Sequence, residues 1–225
     1  MKFECKTAIF NFEKVDNDLI ETLADYLDKH AYEVHEFFEL VPKDKVTINI
    51  IPTKEEYDDV YRKSRELPED FFLEKWMIGN CKNGVITYLS LHDFKSTTHA
   101  YAKAEFSEAL DYYKKTILHE YVHYVNERFN DKHECCYTEK YLVEGIATYL
   151  SKQKSGQELV LNADIEQILN REKYYYNDYY LLTKYFVENY DKDYVLEVFQ
   201  SNRQARELLR NELYAKAKEC YKEKT

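Results

Sequence analysis

The chain of 225 residues carries 32 Lys and Arg against 42 Asp and Glu, a net charge of −10. It lacks the clustered basic surplus that phosphate backbones require, so nucleic acid is excluded as a partner. The length suffices for one domain with a substantial core, and with only three prolines and four glycines the chain should be rich in helix.

Residues 2–12 are expected to form a strand, although charge interrupts the apolar residues too often for a signal peptide. Asp18 can cap a helix over about 18–40, with Leu19, Leu23, Tyr26, Leu27, His30, Val34, Phe37 and Phe38 facing inward. On that helix His30 and His35 read as packing residues, and Pro42 stops it. Val46, Ile48 and Ile50 alternate as a strand. Thr53-Lys-Glu-Glu56 has the capping-box pattern for a helix to about residue 67. Two strands are predicted over 73–78 and 85–91, bracketing Gly79–Gly84, with Asn83-Gly84 as the turn. His92 and His99 follow as surface residues. A helix capped by Ser107 comes next, with Phe106, Leu110, Tyr113, Ile117, Leu118, Tyr121, Val122 and Val125 at steps of three and four. From about 138 onward the pattern is helical. Mixed strands and helices followed by helices alone predict an α+β protein.

No run of 18 apolar residues occurs, so no membrane partner is expected. Five cysteines at 5, 81, 135, 136 and 220 have no framework spacing, which predicts reduced thiols in a cytoplasmic protein. Cys135-Cys136, beside His133, lacks the C-x-x-C spacing of a structural zinc site and reads as loop or core thiols.

The predicted helix over 107 onward carries His119-Glu120-Tyr121-Val122-His123. Residues four apart stand one above the other on a helix, so two imidazoles can address one metal ion with Glu120 close beside them. With seven histidines in the chain, chance produces such a pentad on the order of once in a hundred chains. Glu144, 21 residues beyond His123 in Tyr141-Leu-Val-Glu-Gly-Ile-Ala-Thr-Tyr149, supplies a third donor from a second helix. Two imidazoles and a carboxylate, with one place left to water, make a hydrolytic zinc site. Glu127, four residues after His123, reads instead as a solvated helix terminus, and Glu134 and Glu139 have no motif around them.

His-Glu-x-x-His with a downstream Glu-Gly-x-Ala-Thr-Tyr resembles the gluzincin zinc metallopeptidases, above all the glutamate helix of aminopeptidase-like and small peptidase domains. The likeness covers about residues 80–200. It implies Zn²⁺ held by His119, His123 and Glu144, Glu120 as general base on a metal-polarised water, and a zincin-like fold: an upper twisted sheet, a helical lower part and a cleft between. One domain over 1–225 is expected, about 1–130 being the α/β part and 131–225 the helical part. The strand over 85–91 would line the cleft as an exposed sheet edge on which an extended peptide pairs; an ordinary buried hairpin is the alternative. The family's oxyanion donor is a tyrosine on a later helix. Setting Leu182 and Tyr185 on its apolar positions brings Tyr176 to that place, with Tyr179 and Tyr180 as rivals. Thr148, one turn after Glu144, can orient the ligand set, and Gly145 allows close approach to the histidine helix. No Gly-x-Met-Glu-Asn motif, the grip on a free amino terminus, is present. The expected activity is therefore endopeptidase cleavage of peptide or protein substrates, a single-target regulatory protease or a non-catalytic zinc- or peptide-binding module being the alternatives.

Overall fold

A computed structural model of the chain describes residues 1–97, 104–134, 140–154 and 176–200, with Asn211 and Ala215. It forms two compact units, Met1–Val125 and Asn126–Thr225. The fold is a mixed α/β one, with a five-stranded sheet in the first unit.

The strands are β1 (Lys2–Glu4), β2 (Ala8–Asn11), β3 (Val46–Ile51), β4 (Gly79–Lys82) and β5 (Val85–Leu89), in spatial order β1-β2-β3-β5-β4. β2, β3 and β5 run parallel, while β1 and β4 flank them antiparallel. Parallel neighbours need a crossover. Helix α1 (Asn17–Phe37) supplies one between β2 and β3, and α2 (Lys54–Ser64) lies between β3 and β5. The register sets Phe10 beside Ile48 and Ile48 beside Ile86, all three fully buried. Each such side chain contributes about 1.5–3 kcal/mol by leaving water.

β3 shows the predicted alternation, its odd positions half-buried and Val46, Ile48 and Ile50 buried. Thr53 caps α2 as its sequence predicts, the hydroxyl accepting the Glu56 N–H at 3.3 Å. The Asn83-Gly84 turn is present too, with φ of 52° and 75°, the two left-handed residues of a type I′ hairpin.

Several elements differ from expectation. Residues 2–12 make two antiparallel strands, because the chain turns at Cys5, whose N–H donates to the Ala8 carbonyl at 3.0 Å. α1 ends at Phe37, before Pro42 acts: Glu39 is left-handed (φ 52°), and the Leu40 N–H donates to the His35 carbonyl at 3.1 Å, a Schellman stop. The segment over 73–78 is not a strand. A two-residue turn requires pairing to begin at Lys82–Val85, so the partner of β5 is Gly79–Lys82 itself. β5 is consequently an inner strand between β3 and β4, and the exposed edge expected there belongs to β4.

Helix α3 (Leu91–Thr97) follows β5, and His92 on it is exposed. α4 spans Phe106–Lys132, starting one residue before the expected cap Ser107, within the usual latitude of helix ends. It is not the two-faced helix its sequence suggests. Tyr113, Thr116, Ile117, Leu118, His119, Tyr121, Val122, Tyr124 and Val125 are all buried, as in a helix enclosed on most sides. α1 lies beside it: His35 and the Tyr121 hydroxyl are hydrogen-bonded at 2.8 Å, and Lys114 stands over the Tyr26 ring. His35 is thus a packing residue.

The second unit contains the end of α4, then α5 (Lys140–Leu150), α6 (Tyr176–Asn189) and α7 (Lys192–Gln200). α5 packs against α6, and Leu142, Ile146 and Ala147 are fully buried. Among the described residues no helix is long and apolar enough to cross a membrane.

Candidate metal centre

His119, Glu120 and His123 all lie within α4, at its midpoint and on the turn that follows. The helix holds the two imidazoles nitrogen to nitrogen, with Nε2 of His119 and Nε2 of His123 3.1 Å apart and the rings nearly perpendicular. His119 is only 5% exposed, while His123 and Glu120 are half-buried. Two nitrogens on a tetrahedral zinc ion at about 2.0–2.1 Å each stand about 3.3 Å apart, so this spacing fits a shared ion.

Glu144 occupies the fifth position of α5 and is half-buried. Taking one donor atom from each residue, His119, His123 and Glu144 form a group whose atoms all lie within 4.8 Å of one another. The donor set, two imidazoles and one carboxylate, could hold a divalent metal ion.

Around Glu120 the sheet is close. A Cβ added to Gly79, at the start of β4, would stand 3.2 Å from Glu120 Cγ. The charge of Glu120 reaches Tyr57, a fully buried residue of α2 whose hydroxyl donates to Asn80 Oδ1 at 3.4 Å. Loss of water first, and that charge second, push the Tyr57 hydroxyl far above the usual phenol range, so it remains a neutral donor.

On α5, the Thr148 hydroxyl donates to the Glu144 main-chain carbonyl at 2.8 Å. It therefore braces the helix turn that carries the carboxylate rather than the carboxylate itself. Gly145 does serve a close approach, but to α6: a Cβ there would lie 2.7 Å from the Tyr179 carbonyl oxygen and 2.8 Å from Thr183 Cβ. Tyr176 opens α6 and is half-buried; its rivals Tyr179 and Tyr180 are 4% and 8% exposed. Tyr180 packs against the Tyr149 ring at 6.3 Å.

Glu127 lies inside α4 and half-buried, not at a solvated terminus, because the helix continues to Lys132. Glu134 is exposed and left-handed just past that helix. His133 packs on Phe129, its ring centroid 4.6 Å away. Cys135, Cys136, Cys220, Glu139 and His99 lie outside the described residues, while Cys5 and Cys81 are half-buried. The closeness of Gly79 and Tyr57 to Glu120 was invisible in the sequence, where nothing in the Gly79-Asn-Cys-Lys82 segment suggests a strand. No protein family, no curated protein and no solved structure matches this chain.

Proposed function

We propose that this chain is a zinc-dependent endopeptidase of zincin-like fold and gluzincin type, acting on extended peptide or protein substrates. The observation that carries the reading is the 3.1 Å separation of the His119 and His123 Nε2 atoms beside a half-buried Glu120. Glu144 is the third ligand. Zinc bound there would supply Lewis acidity and a water acidic enough to ionise near pH 7.

The remaining work belongs to the chain's own residues. Glu120 holds the proton given up by the attacking water and returns it to the leaving amine, a service worth about 10²–10⁴-fold in rate. Among the described residues β4 is an end strand of the sheet, and its first residue lies beside Glu120. An extended peptide pairing with that edge brings its backbone past the general base whatever its side chains. Tyr176, more accessible than Tyr179 and Tyr180, is the candidate donor to the oxyanion.

The test is metal dependence. One equivalent of zinc should bind, internal cuts should appear in unrelated unfolded peptides, chelation should abolish them and added zinc restore them. A protein that holds zinc but cuts nothing would leave the endopeptidase reading without support.

A further inference from the structure

We propose that Gly79 and Tyr88 act together as positioning residues for the Glu120 side chain, and that Gly79 is needed because it has no side chain. The inference rests on the reading of Glu120 as general base. Gly79 does not have the positive φ that would call for glycine, whereas Gly84 does. Space is what it provides. Gly79 is the cross-strand partner of Tyr88, and directly opposed residues project to the same face. With no Cβ at 79, the Tyr88 ring folds across the vacant position: an added Cβ would meet its Cδ2 at 2.5 Å and its Cε2 closer still. The same Cβ would press on Glu120 Cγ at 3.2 Å.

The ring cannot retreat. It is 1% exposed. Its hydroxyl donates to Thr116 Oγ1, and the Thr116 hydroxyl donates to the Tyr113 carbonyl at 2.9 Å. The Tyr113 ring closes the other side, edge-on, with centroids 4.9 Å apart. Thr116 and Glu120 are four apart on α4 and share one face. The floor of the Glu120 side chain is therefore a locked tyrosine laid over a glycine. A methyl at 79 must push the Tyr88 ring out of its place and crowds the Glu120 stem at the same time.

The test uses the full chain with Gly79→Ala, Tyr88→Leu and the double variant. Zinc content, peptide cleavage and crystal structures are compared with the wild type. Gly79→Ala should keep one zinc and lose about tenfold to a hundredfold in kcat with KM little changed, the scale of a misplaced catalytic group. Its structure should show the Glu120 carboxylate displaced and the two imidazoles in place. The double variant should be no worse than the worse single one, since the methyl then has the ring's space. Wild-type kcat and an unmoved Glu120 in Gly79→Ala would overturn the proposal. If that variant does not fold, Tyr88→Leu decides: unchanged kcat and Glu120 position overturn it, and lost kcat with zinc retained supports it. If the wild type itself cuts no peptide, the proposed function fails, and the position of Glu120 in the variant structures still decides this inference.

Discussion

Neighbouring residues on α4 are set in different surroundings, and their replacements should separate accordingly. His119 is nearly out of water and Glu120 half-buried. His119→Ala should abolish zinc binding and cleavage together, read by metal analysis and a peptide assay. Elsewhere in the first unit, Asp16 is 1% exposed; Oδ1 accepts the Ser90 hydroxyl at 2.6 Å, and Oδ2 has no hydrogen-bond partner among the described residues. Burial pushes its carboxyl above the ordinary range, a shift that Ser90 opposes only in part. A raised value means that the folded chain holds this proton more tightly than the unfolded one. Asp16 therefore contributes stability below its ordinary pKa, lost as pH rises through the folded value. In urea melts from about pH 3 to pH 6, the stability of wild type relative to Asp16→Asn should fall as pH rises. A difference that grows with pH would mean that Ser90 outweighs burial. That His119, His123 and Glu144 could share an ion was legible residue by residue, because donor atoms and helical spacing are written in the sequence. Asp16 was not: the hydroxyl that donates to it belongs to Ser90, 74 positions away.

At the scale of elements, local signals were read correctly where the cause is local. β3 follows from alternating Val46, Ile48 and Ile50, the α2 start from Thr53, and the hairpin from Asn83-Gly84. β4 escaped detection because Gly-Asn-Cys-Lys has little strand propensity of its own. Its strand is imposed by the turn and by pairing with β5, and strand order, which makes β4 and not β5 the edge, is a long-range property. Gly145 makes the same point between helices: its spacing in the motif was visible, but its neighbour, α6, was not. Gly145→Ala should destabilise the protein by about 1–3 kcal/mol, since the Tyr179 carbonyl it would meet is main chain and cannot swing aside. A thermal or urea melt checks this, and an unchanged midpoint would mean that α5 and α6 separate freely.

For the whole molecule, composition pointed to a helix-rich chain and the order of predicted elements to an α+β one, and the described residues form a mixed sheet with several helices. Not legible was the enclosure of α4, whose sequence reads as two-faced but whose middle turns are buried on most sides. With His119 buried there, the proposed metal ion would affect stability as well as chemistry. An ion that binds only the folded chain stabilises it by about 2.7 kcal/mol at a hundredfold excess over Kd. Zinc should accordingly raise the melting temperature, chelation should reverse the rise, and His119→Ala should show neither. The central claim, that the pentad is a peptide-hydrolysing centre with Glu120 as its base, is tested most directly by one comparison. Wild type and Glu120→Gln, each loaded with one zinc, are incubated with a diverse peptide mixture and the products are read by mass spectrometry. The account predicts internal cuts from the wild type and a loss of about 10²-fold or more from the variant at equal zinc content. Equal cleavage by both proteins, or none by either, would contradict it.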